Sequence, residues 1–432
     1  MAITNTPSIA IKNLNAPKIS QLPQGLTIVA EQMPVEAVNL NVWLNVGSAL
    51  EPDSINGMAH FLEHMVFKGT SQLKSGEFEQ KIEERGAITN AATSQEYTHY
   101  YITTAPKDFA ELAPLQLDVV LNPSIPDDAF AREKLVVLEE IRRSEDNPRR
   151  RTFYRAMETC FEQLPYRRRV LGSASVIEKL QPQQMRDFHA QWYRPQGITA
   201  AVVGNLPVEE LRSIVEKAFD RTQTNFGVVG SPKSLVPEPA FNKIVRQEYT
   251  DPQLQQARLA IIWRVPGMNQ LSQTYALDVL AVILGQGRMS RLFRDLREDR
   301  RLVSSIGVSN ISQKVQGAFY ISATLPPENI AAVEEAMVEH IRTIQTELIE
   351  PKDLDRVRTL VANRFIFGNE RPSDRANLYG YYYSQLNDIQ PALDYPARVQ
   401  ALVASDLQEA ARRYLSTDSY GIVVARPLDL KN

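Results

Sequence analysis

Cysteine is almost absent from this chain, with one residue, Cys160, among 432. A single thiol excludes a disulfide framework and is typical of a reducing, intracellular setting. We expect Cys160 to be a buried, unreactive part of a helical pattern over residues 152–164. Long apolar runs are absent as well, and residues 1–16 lack the charged-then-apolar order of a signal peptide. The sequence therefore predicts a cytoplasmic protein without a membrane span, with an organelle matrix or the periplasm as alternatives.

An excess of either charge is also lacking. The chain has 48 Lys and Arg against 51 Asp and Glu, a net charge of −3, which gives no indication of a nucleic-acid partner. Its 43% hydrophobic and 23% charged content is ordinary for a globular protein. Because 432 residues exceed the size at which a single core usually splits, we expect two domains of about 200 residues each.

Histidine is scarce, yet two of the five histidines stand four residues apart in the run His60-Phe-Leu-Glu63-His64. Four residues is just over one helical turn, so both imidazoles leave the same helix face and can hold one metal ion. Two imidazoles and a carboxylate suit Zn²⁺, with a fourth position left for water. Glu63 stands next to His64, where it can take a proton from zinc-bound water that attacks a carbonyl. The run predicts a zinc hydrolase whose third ligand comes from elsewhere.

The third ligand is expected from a helical segment over residues 126–146, which has an apolar stripe and carries Glu133, Glu139 and Glu140. A glutamate that faces such a stripe is costly to bury unless it is paired or bound to a metal. Each glutamate taken alone is compatible with an ordinary solvated side chain. The pattern itself does not decide among the three.

The chain has two halves of similar layout, joined by a Pro-, Gly- and Ser-bearing connector over residues 227–239. Each half begins with strand patterns and ends with a helix pattern followed by a strand pattern, at residues 183–204 and 405–425. We therefore predict an α+β fold of two homologous domains, residues 1–230 and 231–432. Each is expected to be a mostly antiparallel sheet packed with helices.

Three stretches carry a family resemblance: Gly57 to Thr70 (GMAHFLEHMVFKGT), Asn90 to Tyr101 (NAATSQEYTHYY) and Glu133 to Arg142 (EKLVVLEEIR). In this order they resemble the pitrilysin, insulin-degrading enzyme and mitochondrial processing peptidase family of zinc peptidases with an inverted motif. Diffuse similarity covers essentially the whole chain. The resemblance implies a metalloendopeptidase that cuts peptides or unfolded segments inside a closed chamber, of which a chain of this length forms half of the clamshell.

Carried over position by position, the resemblance assigns one Zn²⁺ per chain to the ligands His60, His64 and Glu140, with Glu63 as the general base. It places Glu133, two helical turns before Glu140, as a supporting residue that orients a ligand histidine. Glu139 is adjacent to Glu140 and is expected to face another side of the helix.

The stretch from Asn90 to Tyr101 resembles the substrate-binding edge strand of the family, and its composition supports a strand after a helix end at Gly86. A peptide that adds itself to such an edge forms main-chain hydrogen bonds with little demand on its sequence. An ordinary sheet edge is the alternative. The resemblance implies substrate contact at Asn90, Ala91, Ala92 and Thr93.

The second half lacks the metal chemistry of the first. At the positions that roughly match the metal motif it has Leu277, Leu280 and Ala281, and near the place of Glu140 it has Arg364. Only the first half is therefore expected to bind zinc. The three remaining histidines stand alone and are expected to be structural or on the surface.

One departure from the family concerns a partner. Members carry an arginine followed seven residues later by a tyrosine, a pair that binds substrate and steadies the developing oxyanion. Here Arg297 is kept and is expected to contact substrate, but Ser304 stands at the tyrosine position. In heterodimeric members a zinc-less subunit carries the pair. We therefore predict that this chain is the zinc subunit of a heterodimer, with a homodimer as second choice.

A second departure concerns specificity. Where the mitochondrial processing enzyme has acidic residues that read substrate arginines, this chain has Arg149, Arg150 and Arg151, and a further basic run over residues 167–169. Such runs are often solvated faces. If they line the chamber instead, acidic or neutral peptides are favoured over basic ones.

Two other functions stay open at this point. One is a non-catalytic structural subunit, like the core proteins of respiratory complexes that are related to the processing peptidases. The other is a module that clamps peptides without cutting them. The intact metal motif weighs against the first, and turnover with an added partner would exclude the second.

Overall fold

The computed structural model describes residues 17–222 and 234–428. The elements of the first half are, in order, β1 (Lys18–Gln21), β2 (Thr27–Gln32), β3 (Val38–Leu44), α1 (Met58–Met65), α2 (Glu77–Glu84), β4 (Ile88–Thr93), β5 (Thr98–Thr104), α3 (Pro106–Leu121), α4 (Asp127–Glu145), α5 (Pro148–Cys160), α6 (Ala174–Ile177), α7 (Pro182–Trp192), β6 (Ile198–Gly204) and α8 (Val208–Arg221). Those of the second half are β7 (Val245–Thr250), β8 (Ala257–Pro266), α9 (Tyr275–Gly285), β9 (Ser305–Ile311), β10 (Gln316–Leu325), α10 (Ile330–Thr346), α11 (Pro351–Phe367), α12 (Pro372–Leu386), α13 (Gln390–Ala401), α14 (Ala404–Tyr414) and β11 (Gly421–Arg426). Within these ranges no helix has the length and apolar character needed to span a membrane.

The strands form two sheets that repeat one plan. The first sheet has the order β1-β2-β6-β3-β5-β4 and the second the order β7-β11-β8-β10-β9. One pair in each sheet is parallel, β2 with β6 and β7 with β11, and the other neighbours are antiparallel. The predicted α+β class with mostly antiparallel sheets is confirmed. The predicted boundary at residue 230 and the first part of the connector lie outside the described residues.

The periodic segments of the sequence form the expected elements. Residues 126–146 correspond to α4, residues 183–204 to α7 and β6, and residues 405–425 to α14 and β11. The helix predicted over 152–164 begins earlier, at Pro148, and ends at Cys160. It begins there because the Asn147 side chain accepts hydrogen bonds from two backbone N–H groups of the first turn.

The stretch from Asn90 to Tyr101 is a hairpin, which corrects the expectation of one edge strand. β4 ends at Thr93, and β5 begins at Thr98 after a four-residue turn. Of the two hairpin strands, β4 has a free edge, whereas β5 also pairs with β3. The sequence conceals the turn because its residues, SQEY, include none of the glycines or prolines that usually mark one.

A helix from each half covers the sheet of the other half. α5 packs on β8 and β11 of the second sheet, where Cys160 is buried in the shared core. Burial raises the pKa of the Cys160 thiol, in keeping with an unreactive residue. α12 packs on β3 and β6 of the first sheet, where Tyr379 joins a small core with Val29 and Ala201. The neighbours of these two residues along their strands belong to the main core, so the first sheet is covered on both faces.

Candidate metal centre

Helix α1, which carries the histidine pair, is fixed at its start by a buried glutamate. The Glu51 carboxylate accepts hydrogen bonds from the backbone N–H of Gly57 at 2.8 Å and from that of Ala59 at 2.6 Å. A carboxylate against the first N–H groups of a helix is stabilising. Gly57 has a φ of +101°, and a Cβ there would lie 2.6 Å from the Leu171 backbone oxygen, so this turn requires glycine. Burial raises the pKa of Glu51, although these hydrogen bonds oppose the rise.

The structure brings His60 and His64 of α1 together with Glu140 of α4. The Nε2 atom of His60 lies 3.5 Å from Glu140 Oε2, and that of His64 lies 3.7 Å from the same oxygen. Across residues 17–222 and 234–428, this is the one group of His, Cys, Asp or Glu side chains arranged to hold a metal ion. The His60 side chain is 9% exposed and that of Glu140 41%, so the group is closed at the first histidine and open at the glutamate.

Glu133 contacts the other nitrogen of His64. Its Oε1 atom lies 2.9 Å from His64 Nδ1, and its Oε2 atom lies 2.8 Å from Lys68 Nζ. Burial alone would raise the pKa of Glu133, but the hydrogen bonds from Lys68 and His64 outweigh it and lower that pKa. An ionised Glu133 favours the tautomer of His64 that carries its proton on Nδ1, which leaves Nε2 as the atom that faces Glu140.

Glu139 faces away from the histidines, as expected for the helix position next to Glu140. Its carboxylate accepts hydrogen bonds from Arg142 at 2.7 and 2.8 Å and from Arg143 at 3.0 Å. These bonds lower the pKa of Glu139 to about 2. Of the adjacent pair Glu139 and Glu140, only Glu140 therefore lies beside the Nε2 atoms of the two histidines.

His60 is the more buried of the two imidazoles. Burial, with a smaller contribution from the neighbouring His64, lowers the pKa of His60 to about 3. The ring is neutral at physiological pH, which is the form that binds a metal. Its Nδ1 atom is buried and has no hydrogen-bond partner within the described parts of the chain, in contrast with Nδ1 of His64.

Glu63 is tied to the free edge strand. Its Oε2 atom accepts a hydrogen bond from Thr93 Oγ1 at 2.5 Å, and Thr93 is the last residue of β4. Burial raises the pKa of the Glu63 carboxyl, while the bond from Thr93 opposes the rise. The predicted base and the predicted substrate strand therefore meet at one contact.

A cavity of about 890 Å³ opens over this group. His60, Glu63 and Glu140 line it together with the last residues of β4, Ala91 to Thr93. Asn90 lies just beyond, and its side-chain oxygen accepts a hydrogen bond from the Ala91 N–H at 2.9 Å. Because that N–H is not used by β5, it faces the free edge. The second half supplies part of the opposite wall, so the cavity lies between the two halves.

Comparison with known proteins agrees with this geometry. The model described as Insulinase (Peptidase family M16) matches residues 27–174, and the model described as Peptidase M16 inactive domain matches residues 179–361. An uncharacterized zinc protease of Mycobacterium leprae is 30% identical over 327 residues, 75% of this chain and 72% of that protein. The chain belongs to the peptidase M16 family. The zinc protease PqqE of Helicobacter pylori, a further relative, is 28% identical over 416 residues, 94% of this chain and 92% of PqqE.

Solved structures of the M16 family share the fold. The crystal structure of a protease from Helicobacter pylori has a TM-score of 0.90 at 27% identity and covers 96% of this chain and 100% of that one. The structure of a peptidase M16 inactive domain from Pseudomonas fluorescens has a TM-score of 0.86 at 20% identity and covers 96% of this chain and 99% of that one. The second likeness concerns the fold alone. The two-sheet architecture is therefore that of M16 peptidases.

The second half of this M16 chain keeps the plan of the first without its ligands. β9 is an edge strand of the second sheet, as β4 is of the first, and α9 packs against α11 as α1 packs against α4. Leu277, Leu280 and Ala281 on α9 are buried in the second core. Arg364 on α11 donates a hydrogen bond to the Gln286 side chain at 3.1 Å. The name of the matching family model, an inactive domain, agrees with this arrangement.

The structure does not place Arg297 with the metal group, which consists of His60, His64 and Glu140, and its substrate contact stays a prediction. Its guanidinium stacks over the Phe293 ring, 4.8 Å from the centroid, and the residue does not line the cavity. Ser304, at the position of the family's tyrosine, donates a hydrogen bond to the Gln256 side chain at 2.8 Å.

The two basic runs differ in their surroundings. Arg149 and Arg150 line the cavity, whereas Arg151 forms an ion pair with Asp251. All three arginines of the run over residues 167–169 are paired with acidic side chains, and Arg168 alone of them lines the cavity. Solvated and cavity-lining arginines are thus both present.

The other histidines have structural contacts. His99 stacks on Trp43, and hydrogen bonds join His189 to the Val120 carbonyl and His340 to Asp295. None of the three belongs to a metal-binding group among the described residues.

Two positioning residues were missed by sequence reasoning. Glu51 stands six residues before Gly57 and reaches α1 through a loop, so no periodicity marks it. Lys68 stands four residues after His64, and this spacing could have indicated a residue beside the metal helix.

Proposed function

We propose that this chain is a zinc-dependent metalloendopeptidase that cleaves peptides or unfolded segments. The observation that carries the proposal is the convergence of His60 Nε2, His64 Nε2 and Glu140 Oε2 beneath an open cavity. Relatives that are named zinc proteases support the same class of reaction.

The donor set fits zinc. Ligand atoms about 2.1 Å from a tetrahedral metal lie roughly 3.4 Å from one another. The nitrogen–oxygen distances here are 3.5 and 3.7 Å. Two imidazoles and one carboxylate are the protein ligands of many catalytic zinc sites, in which the fourth position is left open. His60, His64 and Glu140 are the residues that would hold the ion.

Glu63 would move the protons of the reaction. Zinc in such a set lowers the pKa of a bound water to about 7 and polarises a carbonyl group. The Glu63 carboxylate takes a proton from the attacking water and returns it to the leaving amine nitrogen. Thr93 donates a hydrogen bond to Oε2 of this carboxylate and so holds it at the end of β4.

The edge of β4 would hold the peptide. The outward Ala91 N–H donates to the Asn90 side-chain oxygen, and a peptide carbonyl can replace that acceptor. Ala91 and Ala92 have small side chains, which allow a peptide backbone to approach the strand. Main-chain pairing of this kind selects extended segments rather than particular residues.

Replacing Glu63 by Gln tests the proposal. Glutamine keeps the size of the side chain but cannot accept the proton, so we expect peptide hydrolysis to fall by about 10²- to 10⁴-fold. Zinc content should stay at one ion per chain. Hydrolysis is followed with fluorogenic peptides and zinc by metal analysis. Equal hydrolysis by E63Q would refute the assigned base, and wild-type protein that binds no zinc would favour a non-catalytic subunit.

We also propose that the chain works as the zinc subunit of a heterodimer. The support is Ser304 in place of the family's tyrosine, and the position of Arg297 outside the cavity. The expected partner is a zinc-less homologue that supplies the arginine–tyrosine pair. Co-purification from the native cell should yield that partner, and adding it should restore activity. Robust proteolysis by the purified chain alone would count against a required partner. If that active chain is a homodimer in solution, the homodimer replaces the heterodimer in this proposal.

A further inference from the structure

A second cavity, of about 400 Å³, adjoins the one over the metal group. Arg149 and Tyr320 line both cavities, so the two spaces meet along these side chains. Beyond them the second cavity is lined by Arg258 of β8 and by Ser305 and Ile306 at the start of β9. A peptide that leaves the metal group past Arg149 enters this space.

Two guanidinium groups in the second cavity have no acidic partner. Within residues 17–222 and 234–428, neither Arg149 nor Arg258 forms an ion pair or a side-chain hydrogen bond, and Nε of Arg258 is buried without an acceptor. Two other arginines of α5 are paired: Arg151 donates to Asp251 at 2.9 Å, and Arg155 lies 3.2 Å from Glu158. Arg150, which lines the cavity over the metal group but not the second cavity, also has no ion pair among the described residues. The unpaired arginines of this region therefore face the two cavities.

The surroundings of these two charges favour an anion. Arg258 is partly buried, and burial lowers the pKa of its guanidinium, which the positive charge of Arg149 lowers further. Arg149 stands in the first turn of α5, and that turn contains no acidic residue. The helix dipole makes that end attractive to anions and unfavourable for cations. A carboxylate has two acceptor oxygens and matches the fork of a guanidinium, so it relieves both effects at once.

We propose that Arg149 and Arg258 form a carboxylate-binding subsite of the protease, next to the metal group. The proposal rests on the proposed peptidase function and names its substrate class, which is peptides that present a carboxylate to the second cavity. The carboxylate belongs to an acidic side chain or to the C-terminus of the peptide. Both sources have the same chemistry, and the peptides used in the test separate them.

Binding can be measured without cleavage. The full-length, zinc-loaded E63Q chain is titrated against fluorescently labelled peptides, and fluorescence anisotropy gives the Kd. The parent peptide is neutral, with an acetylated N-terminus and an amidated C-terminus. One series carries a single glutamate at successive positions, and another peptide has a free C-terminal carboxylate. We expect at least one glutamate position, or the free carboxylate, to tighten binding by about tenfold or more. The series that shows the gain identifies the source.

Variants assign the gain to the two arginines. R149Q and R258Q, each in the E63Q background, should abolish the gain, which is the ratio of the Kd of the neutral parent to that of the carboxylate-bearing peptide, both measured with the same variant. R155Q is the matched control, because Arg155 is an exposed arginine of the same helix that lines neither cavity. It should keep the full gain. R149Q alters an exposed side chain, so it decides the question if R258Q folds poorly.

The proposal is overturned if no carboxylate-bearing peptide binds more tightly than the parent, if no peptide binds at all, or if the gain survives in both R149Q and R258Q. These results are independent of catalysis. A wild-type chain that binds such peptides but never cuts them would refute the peptidase and keep the subsite. Cleavage of peptides without tighter binding of carboxylate-bearing peptides would support the peptidase and refute the subsite.

Discussion

At the scale of single residues, neighbouring side chains set the protonation and orientation of the two histidines in the metal group. Burial keeps His60 neutral, and the ionised Glu133, held by Lys68, orients His64 with Nε2 toward Glu140. Little rearrangement is needed to bind a cation, because the donor atoms already lie near the separations that zinc requires. Among the described residues, Nδ1 of His60 lacks the hydrogen bond that Nδ1 of His64 has.

Asp278 gives a pH-dependent prediction at a position outside the metal centre. It is partly buried on α9 and accepts a hydrogen bond from Asn310 at 2.8 Å. Burial raises its pKa from 3.8 to about 6, although bonds from Asn310 and Tyr395 oppose the rise. Between about pH 4 and pH 6 the folded state therefore binds a proton that the unfolded state releases. This proton binding adds to the free energy of unfolding below about pH 4, and that contribution is lost as the pH rises through about 6.

Replacing Asp278 by Asn should remove this loss. We expect D278N to raise the free energy of unfolding by about 2 kcal/mol near neutral pH and to change it little near pH 4. Thermal unfolding of wild type and variant at both pH values measures the difference. An effect of the same size at both would show that Asp278 does not titrate in this range.

Single residues differ in how far the sequence defines them. His60, Glu63 and His64 could be named from spacing, because one helical turn fixes their common side. The pattern left Glu133, Glu139 and Glu140 equivalent, since their distances to the histidines depend on how two helices cross. The resemblance to a family separated them. Arg258 carried no signal, because its importance comes from a buried Nε atom that has no hydrogen-bond acceptor in the described fold.

At the scale of elements, β4 combines a free edge with a contact to the base. Its register with β5 sets Thr93 opposite Thr98 and Ala91 opposite Tyr100. Successive residues of a strand point their N–H groups to opposite sides. A peptide paired with β4 therefore uses every second backbone N–H for that pairing.

This alternation predicts the effect of N-methylated substrates. Methylation of every second peptide nitrogen near the scissile bond should slow cleavage by about tenfold or more, because it removes a hydrogen bond and blocks close approach. Methylation of the intervening nitrogens should have a small effect. Cleavage rates of a peptide series, each methylated once, measure this. A uniform loss, or none, would contradict strand pairing at β4.

The types of most elements could be predicted, but not their pairing. A short apolar run identified β6, which is buried on both faces, and helical periods identified α4 and α14. The β4–β5 turn was missed, because its residues have no distinctive turn chemistry. Which strand forms the free edge is decided by long-range pairing, and here the family resemblance supplied what local pattern could not.

At the scale of the whole molecule, the two halves are joined by exchanged helices. α5 lies on the second sheet and α12 on the first, so neither sheet is complete without the other half. Residues of both halves line the cavity over the metal group. The sequence predicted two similar halves from their repeated patterns. The exchange itself could not be predicted, because it depends on contacts between residues more than a hundred positions apart.

Gly380 of α12 tests this packing. A Cβ at this position would lie 2.1 Å from Nε1 of Trp43 in β3. Alanine favours a helix over glycine by about 1 kcal/mol, but overpacking costs about 1–3 kcal/mol. We expect G380A to lower the free energy of unfolding, or at best leave it unchanged, in denaturant titration. G197A is the control, because a Cβ there meets nothing within 4 Å. A clear gain in stability for G380A would show that the interface is looser than described.

The most direct test of the metal centre is the zinc content of two variants, E139Q and E140Q, which are substituted at adjacent positions on α4. Glu140 faces both histidines, whereas Glu139 is bound to Arg142 and Arg143 on another side of the helix. Metal analysis of purified chains should find one zinc ion in wild type and E139Q, and a strongly reduced content in E140Q. Full zinc occupancy in E140Q, or loss of zinc in E139Q as severe as in E140Q, would contradict the assignment of the metal centre.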